Sequence, residues 1–370
     1  MKTHPKFQLH PEVKSFLKRG TLGGFVGGKE VFASNGETFD TSDPGTGAKL
    51  ATIASLQPDD VSRAVDAAAQ AFEKNGWSRL PVNERCAVVH RLADAVEKRK
   101  AVFAQLESLD CGKIYLQAVS DVENFITTLR YYAELAQHLQ RRTVIAVPGH
   151  EAAVVRHAWG PCGFIIPWNF PFLLCGWGIG PALVAGNTCV VKPAEDTPLS
   201  TLFLAHVAKE VGLPDGVLNV VPGLGEVTGA ALAHNPRLRR MSFTGSPEVG
   251  RLVAESCGGK GEGDGEVGDV GTRGIGEARG DGGDACGVAV GGGGWLGGGV
   301  TGGLAGTEDE DVGSGGVGDT GDIGEAGGGG WLAIGGWPRD GVEGDAVEGA
   351  GGHEDEGGRD VARGGWRDGC

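Results

Sequence analysis

Apolar positions recur at three- and four-residue spacing across 58–75, where Val61, Ala64, Val65, Ala68 and Phe72 follow a Pro-Asp-Asp start suited to a helix N-terminus. That pattern predicts an amphipathic helix. Residues 82–109 and 114–139 keep the same period without an internal glycine or proline, so the first third, after a short strand-like opening, reads as mainly helical. Then the pattern changes. TVIAV at 143–147 and AAVVR at 152–156 flank Pro148-Gly149-His150-Glu151 and read as a β-hairpin or a pair of edge strands. Four short apolar runs follow: GFIIPW (163–168), TCVVKP (188–193), LNVVPG (218–223) and MSFTG (241–245), with helix-like segments between them at 171–185, 198–211 and 225–233. Such alternation predicts an α/β fold, a Rossmann-like parallel sheet with flanking helices plus the hairpin. Ligands in sheets of this kind bind at the carboxyl ends of the strands.

The stretch from Ala158 to Val191 carries no charged side chain and is longer than the ~20 apolar residues of a spanning helix. Its Pro161, Pro167, Pro171 and Pro181, together with Asn169 and six glycines, would break a lipid-exposed helix but suit a buried strand, a turn and a short buried helix. No membrane partner is expected. The opening MKTHPKFQLHPEVKSFLKRG has no apolar core of the kind a secretory signal needs, and the eight scattered cysteines form no CxxC pair, so a cytoplasmic chain without a metal site or a disulfide framework is expected.

Composition divides the chain after Cys257. Residues 258–370 hold 45 of the 69 glycines and 23 acids against 7 bases, a formal charge of −16, whereas the first 257 residues balance 25 acids with 26 bases. The overall acidity therefore says nothing about the globular part, and no basic surplus favours nucleic acid. Gly, Asp, Glu, Val and Ala fill 87 of the 113 tail positions, and Phe, Tyr, Met, Asn and Gln are absent there. So few large apolar groups cannot offset a backbone entropy cost of ~1–2 kcal/mol per residue, and a disordered, low-complexity tail is expected. The five over-used residues all have codons beginning with G, so the tail reads as a GC-rich frame entered by a frameshift near Cys257–Gly258. A calcium-binding repeat is disfavoured, because Gly315-Gly-Val-Gly-Asp-Thr320 lacks the aspartate that a GGxGxD turn needs at its sixth position.

Each apolar run before the tail ends in a polar or glycine-containing turn. After the fourth, Ser246 is a good N-cap, Pro247 fits the first helical position and Glu248 the first turn, which would point free amides at an anion such as a pyrophosphate. Gly245-Ser-Pro-Glu-Val-Gly250 is nonetheless neither GxGxxG nor a P-loop. Lys192 and Glu195 read either as a salt-bridged pair at a strand end or as two groups reaching a ribose, and Asn169 either as a turn former or as an amide donor.

In combination these segments resemble the NAD(P)-dependent aldehyde dehydrogenase superfamily. The resemblance covers roughly residues 20–256 and is carried by GFIIPWNFPFLL (163–174), GNTCVVKPAEDTPLS (186–200), EVGLPDGVLNVVPGLG (210–225) and RMSFTGSPEVGRLV (240–253), with ESLDCGK (107–113) in support. It implies an N-terminal extension at 1–20, an NAD-binding domain at 21–257 with an oligomerisation hairpin at about 141–158, and the tail at 258–370. It further implies that Asn169 donates to the oxygen of the reacting carbonyl, that Ile166, Pro167 and Trp168 line the cofactor, and that Lys192 and Glu195 contact the adenosine ribose. Gly225, Gly229 and Val249 would border the adenine, and Phe243, Gly245 and Ser246 the nicotinamide side and the pyrophosphate. A carboxylate at Glu195 would repel a 2′-phosphate, which favours NAD over NADP.

The reaction implied is oxidation of an aldehyde substrate to a carboxylic acid, in which a thiolate attacks, a hydride passes to the nicotinamide and a glutamate activates water. Here the sequence departs from the pattern. Glu255-Ser-Cys-Gly-Gly-Lys260 shares only GGK with the ELGGK-like segment and comes too soon after Phe243, and neither Cys257 nor Cys286 has a nucleophile's surroundings. The chain as written is therefore expected to be inactive and to form a homo-oligomer only if the missing half were present. A non-enzymatic nucleotide-binding or oligomerisation module is the competing reading, with the hairpin as its interaction element.

Overall fold

The computed structural model describes residues 8–74, 76–147 and 150–258; the tail expected at 258–370 lies outside the described residues beyond Gly258. The described residues begin with helix α1 (Pro11–Leu17) and five short strands: β1 (Thr21–Leu22), β2 (Gly24–Val26), β3 (Lys29–Val31), β4 (Thr38–Ser42) and β5 (Lys49–Ala54). Four helices follow, α2 (Pro58–Glu73), α3 (Val82–Lys98), α4 (Lys100–Cys111) and α5 (Tyr115–His138), then the hairpin of β6 (Arg142–Val147) and β7 (His150–Val155). The remainder alternates: β8 (Pro161–Ile165), α6 (Pro171–Ala185), β9 (Thr188–Lys192), α7 (Leu199–Glu210), β10 (Leu218–Val220), a π-turn at Gly225–Gly229 leading into α8 (Ala230–His234), β11 (Arg240–Phe243) and α9 (Pro247–Gly258).

The helix expected at 58–75 forms because its ends and its inner face agree. Pro58 starts α2, the Asp60 carboxylate accepts from the Gln57 amide at 2.9 Å, and Val61, Ala64, Val65 and Ala68 are buried. The continuous helix expected at 82–109 is instead two. Arg99 leaves helical geometry at φ −108°, ψ 21°, and its guanidinium ties Glu12 at 3.2 Å and Glu210 at 2.7 Å. The break lets α3 pack on α5 and α6 while α4 turns toward α1 and α7. Part of the stretch expected as an N-terminal extension belongs to the body of the fold, since Val13 and Phe16 of α1 are buried beside Leu106 and Leu202.

The main sheet has six strands in the order β11-β8-β9-β10-β2-β3. β11, β8, β9 and β10 run parallel, with Ile165 level with Lys192 on one side and with Phe243 on the other. β2 and β3 extend it in antiparallel fashion, Phe25 facing Val220, and the buried Asn219 amide pins the turn between them by accepting from Gly27 N–H at 2.9 Å. Two smaller sheets, β1-β5-β4 and the β6–β7 hairpin, complete the architecture.

Helices cover both faces of the main sheet. On one, α3, α5 and α6 pack around Phe172, whose ring stacks on Phe103 at 4.6 Å and on Phe125 at 4.1 Å. On the other, α2, α8 and α9 close over Phe243, Met241 and Val190. Burying each of these side chains contributes roughly 1.5–3 kcal/mol. No helix among the described residues is long and apolar enough to cross a membrane; the uncharged stretch from Ala158 resolves into β8, a loop, α6 and β9.

Candidate functional site

Chain order and strand order disagree at one place. The chain steps from β8 to β9 to β10 in one direction and then returns to the far side of β8 to lay down β11. Loops leaving β8 and β11 therefore diverge to opposite faces, which makes the carboxyl ends of these strands the switch point at which sheets of this kind form a crevice. Backbone bonds continue past the strands, Thr244 N–H donating to Ile165 O at 3.2 Å between β11 and β8 and Ile166 N–H to Lys192 O at 3.0 Å between β8 and β9. Four of the expected segments lie at or just after the carboxyl ends of these strands: 166–169 after β8, 192–195 at the end of β9, 225–229 after β10 and 243–249 at the end of β11.

The Lys192 ammonium lies 2.5 Å from Glu195 Oε2, and Glu195 Oε1 accepts from the Gly225 amide at 3.1 Å. One carboxylate thus joins the end of β9 to the π-turn after β10. Lys192 is almost wholly buried, whereas Glu195 keeps 19% of its side chain exposed, so the pair is anchored below and open above. A methyl group built on Gly229 would come within 4.0 Å of the Lys192 stem and 3.9 Å of Ile165, which places Gly229 on the same floor. Of the two readings of Lys192 and Glu195, the salt-bridged pair at a strand end is present, and it leaves part of Glu195 exposed.

Ser246 caps α9 as its sequence suggests, its hydroxyl accepting from Val249 N–H at 3.3 Å, with Pro247 and Glu248 in the first turn. The Phe243 side chain is buried, and a Cβ on Gly245 would lie 2.4 Å from the tip of its ring. Gly245 is required because the chain passes directly over that ring. Ile166 is buried, Pro167 half-buried and Trp168 55% exposed. Asn169 is half-buried, and its Oδ1 accepts from Phe170 N–H at 3.1 Å. The carbonyl side of the amide is thereby engaged by its own loop, and the NH2 side is the part free to donate elsewhere.

Four buried ionisable side chains went unread in ESLDCGK and α5. Glu107 accepts from Ser200 Oγ at 2.5 Å and from the Phe172 amide at 3.5 Å, and Lys113 lies 3.4 Å from Glu107 and 2.6 Å from Asp121. Nearby, Asp110 accepts from Leu199 N–H at 2.8 Å, capping α7, and from Thr41 at 2.7 Å. Burial pushes the pKa of Glu107 up and that of Asp110 well above the usual aspartate value. The only sequence signal was the polarity of Glu107, Asp110 and Asp121 on otherwise apolar helical faces.

The described cysteines offer no activated thiol in this crevice. Burial raises the Cys111 thiol to about 11 and the Cys175 thiol to about 12, and Cys86 and Cys189 are raised for the same reason. Cys86, Cys162, Cys175, Cys189 and Cys257 are buried, and Cys111 is partly exposed.

A parallel sheet flanked by helices, with polar groups gathered at its switch point, defines a doubly wound α/β domain of the kind that holds ligands above its strand ends. Residues 31–263 match the family described as "Aldehyde dehydrogenase family", and the chain belongs to that family. Retinaldehyde dehydrogenase 3 of Mus musculus is 44% identical over 228 residues, covering 61% of this chain and 44% of that protein. The mitochondrial benzaldehyde dehydrogenase of Antirrhinum majus is 42% identical over 231 residues, covering 62% of this chain and 43% of that protein. The NAD+ complex of an aldehyde dehydrogenase from Bacillus cereus superposes with a TM-score of 0.66 at 37% identity, covering 68% of this chain and 52% of that one. The chain spans less than half the length of either of the two relatives matched by sequence.

Proposed function

We propose that residues 21–257 bind NAD across the crevice and that the activity of the full catalytic unit is oxidation of an aldehyde to a carboxylic acid. The observation that carries the reading is the Glu195 carboxylate held between Lys192 Nζ and the Gly225 amide at the edge of the crevice. A partly exposed carboxylate with a fixed orientation accepts from vicinal ribose hydroxyls, the adjacent ammonium donates to them, and a 2′-phosphate in the same place is repelled. The N-terminus of α9, capped by Ser246, suits the pyrophosphate, and Gly229, where a Cβ would meet nothing closer than 3.9 Å, leaves room for a flat ring bordered by Gly225 and Val249. The charged and capping groups present therefore fit NAD.

When bound, the nicotinamide supplies a hydride acceptor. Asn169 holds the aldehyde oxygen through its NH2 group, so that donors are already aimed where negative charge develops. Ile166, Pro167 and Trp168 exclude water along one side of the crevice. A thiolate and a water-activating glutamate complete such a reaction, and residues 258–370 carry neither an ELGGK-like nor a GQxC-like segment. The 370-residue chain by itself thus binds NAD without turnover. The hairpin of β6 and β7, with Val144, Ile145 and Val155 exposed, is the element through which copies carrying the catalytic half assemble.

Calorimetric titration of the purified chain with NAD+ and NADP+, followed by an aldehyde-dependent NADH assay, tests this. Binding of NAD+ in preference to NADP+ without NADH production supports the proposal. Failure to bind NAD+ overturns the cofactor reading, and NADH production overturns the inactivity of this chain.

A further inference from the structure

The Lys113 ammonium occupies an unusual position for a charge. Its side chain is only 7% exposed, yet it sits 4.8 Å from the centroid of the Phe170 ring while pairing with Asp121 at 2.6 Å and Glu107 at 3.4 Å. A cation at that distance from a ring face is attracted by the quadrupole of the ring, more strongly when water is excluded. Burial works against its charge, but Glu107 and Asp121 outweigh that cost and raise the pKa of Lys113 above the usual lysine value. Glu107 in turn accepts from the Phe172 amide in the first turn of α6, and it is itself wholly buried. The cluster therefore grips the loop between β8 and α6 at two points, the ring of Phe170 and the amide of Phe172.

Asn169 immediately precedes the first of these points. Its Oδ1 accepts from the Phe170 amide, so the direction of its NH2 group follows the placement of Phe170. We propose that Lys113 is a positioning residue for Asn169: by holding the Phe170 ring from below, with Asp121 and Glu107 fixing the ammonium, it aims the Asn169 amide into the crevice. Lys113 touches neither cofactor nor substrate in this role. The inference rests on the reading of Asn169 as the donor to the aldehyde oxygen.

The test is the side-chain order of Asn169 in the ligand-free 370-residue chain, read by 15N relaxation of asparagine NH2 groups after selective labelling, with Asn169→Ala used for assignment. Asn219 is the internal control, because its buried NH2 donates to Cys189 O and Gly216 O far from Lys113 in the sequence. Lys113→Met and Phe170→Leu are each expected to loosen the Asn169 group while leaving that of Asn219 ordered, and Lys113→Arg, which restores a cation, is expected to keep Asn169 ordered. Phe170→Leu leaves all three buried charges in place and decides the matter if Lys113→Met does not fold. The proposal is overturned if Asn169 stays as ordered in a folded Lys113→Met, or in Phe170→Leu, as in the unmodified chain, or if Asn219 loosens in step with it. NAD+ added to the same samples reports separately: absence of binding removes the cofactor reading and leaves the ordering result to stand or fall by itself.

Discussion

Glu195 meets Lys192 at 2.5 Å with one oxygen and turns the other to the Gly225 amide, so a single carboxylate closes the gap between the ends of two parallel strands. Because the Lys192 side chain is nearly buried and that of Glu195 is not, a change at Glu195 alters recognition at the surface and also strips a buried ammonium of its partner. Glu195→Gln is expected to weaken NAD+ binding by roughly 10- to 100-fold, the equivalent of losing one charged hydrogen bond of about 1.5–3 kcal/mol. It should also narrow the preference for NAD+ over NADP+. Parallel titrations with both cofactors, with urea unfolding as a control on stability, check both expectations.

A second prediction concerns the seam between α5 and α6. Gly176 faces Phe125 so closely that a methyl group would lie 2.5 Å from the ring, and that ring is stacked on Phe172. Gly176→Ala, ordinarily a gain for helix propensity, is expected to destabilise the chain by about 1–3 kcal/mol through overpacking. Chemical denaturation of the two proteins at one pH measures the difference, and a stabilised variant would contradict the packing described.

The buried acids give the chain a pH dependence with a definite sign. Asp110 has its pKa raised well above 3.8, mainly by burial, and Glu107 is shifted upward by the same cause. Between the ordinary carboxylate value and the raised one the folded chain binds more protons than the unfolded chain, so stability from these groups is present at low pH and lost as pH rises through the raised values. Each group contributes a slope of at most about 1.4 kcal/mol per pH unit. Asp110→Asn, which can still accept from Leu199 and donate to Thr41, should flatten the slope over the pH range above the ordinary aspartate value of 3.8. Unfolding free energies of both proteins across that range test the sign.

Thiol chemistry supplies a fourth prediction. With its pKa at about 11, Cys111 is a thiol rather than a thiolate at neutral pH even though part of it is exposed. Peptide mapping after brief iodoacetamide treatment at pH 7.5 should find Cys111 unmodified, with labelling rising steeply only in strongly alkaline buffer. Fast labelling at neutral pH would contradict the burial that raises the thiol.

The parts of the fold that the sequence disclosed are those whose signals are local. Helix α6 occupies 171–185, as its pattern predicts, because Pro171 can open a helix and Gly186 closes it at φ 94°. The four parallel strands were legible as apolar runs bounded by turns, although β8 stops at Ile165 rather than continuing to Trp168, since Pro167 lacks the amide a further rung needs. Strands β2 and β3 were not legible: each has three residues, and β2 pairs with Val220, far along the chain. The break at Arg99 left no trace because neither glycine nor proline marks it; two distant carboxylates, Glu12 and Glu210, hold it. At the candidate site, Lys192, Glu195 and Ser246 could be named from turn chemistry, but the bond from Gly225 to Glu195 and the cluster around Lys113 join residues that only the folded chain brings together.

The return of β11 to the side of β8 sets an order of events during synthesis. Ile165 and Phe243 are level neighbours in the finished sheet although nearly eighty residues separate them in the chain. A ribosome that has released β8, β9 and β10 has released one wall of the crevice, while the other wall and the N-terminus of α9 are still to come. A nascent chain gains the complete crevice only after Val249 has emerged, so dinucleotide added to a translation reaction should protect stalled chains from protease only when they extend past that residue.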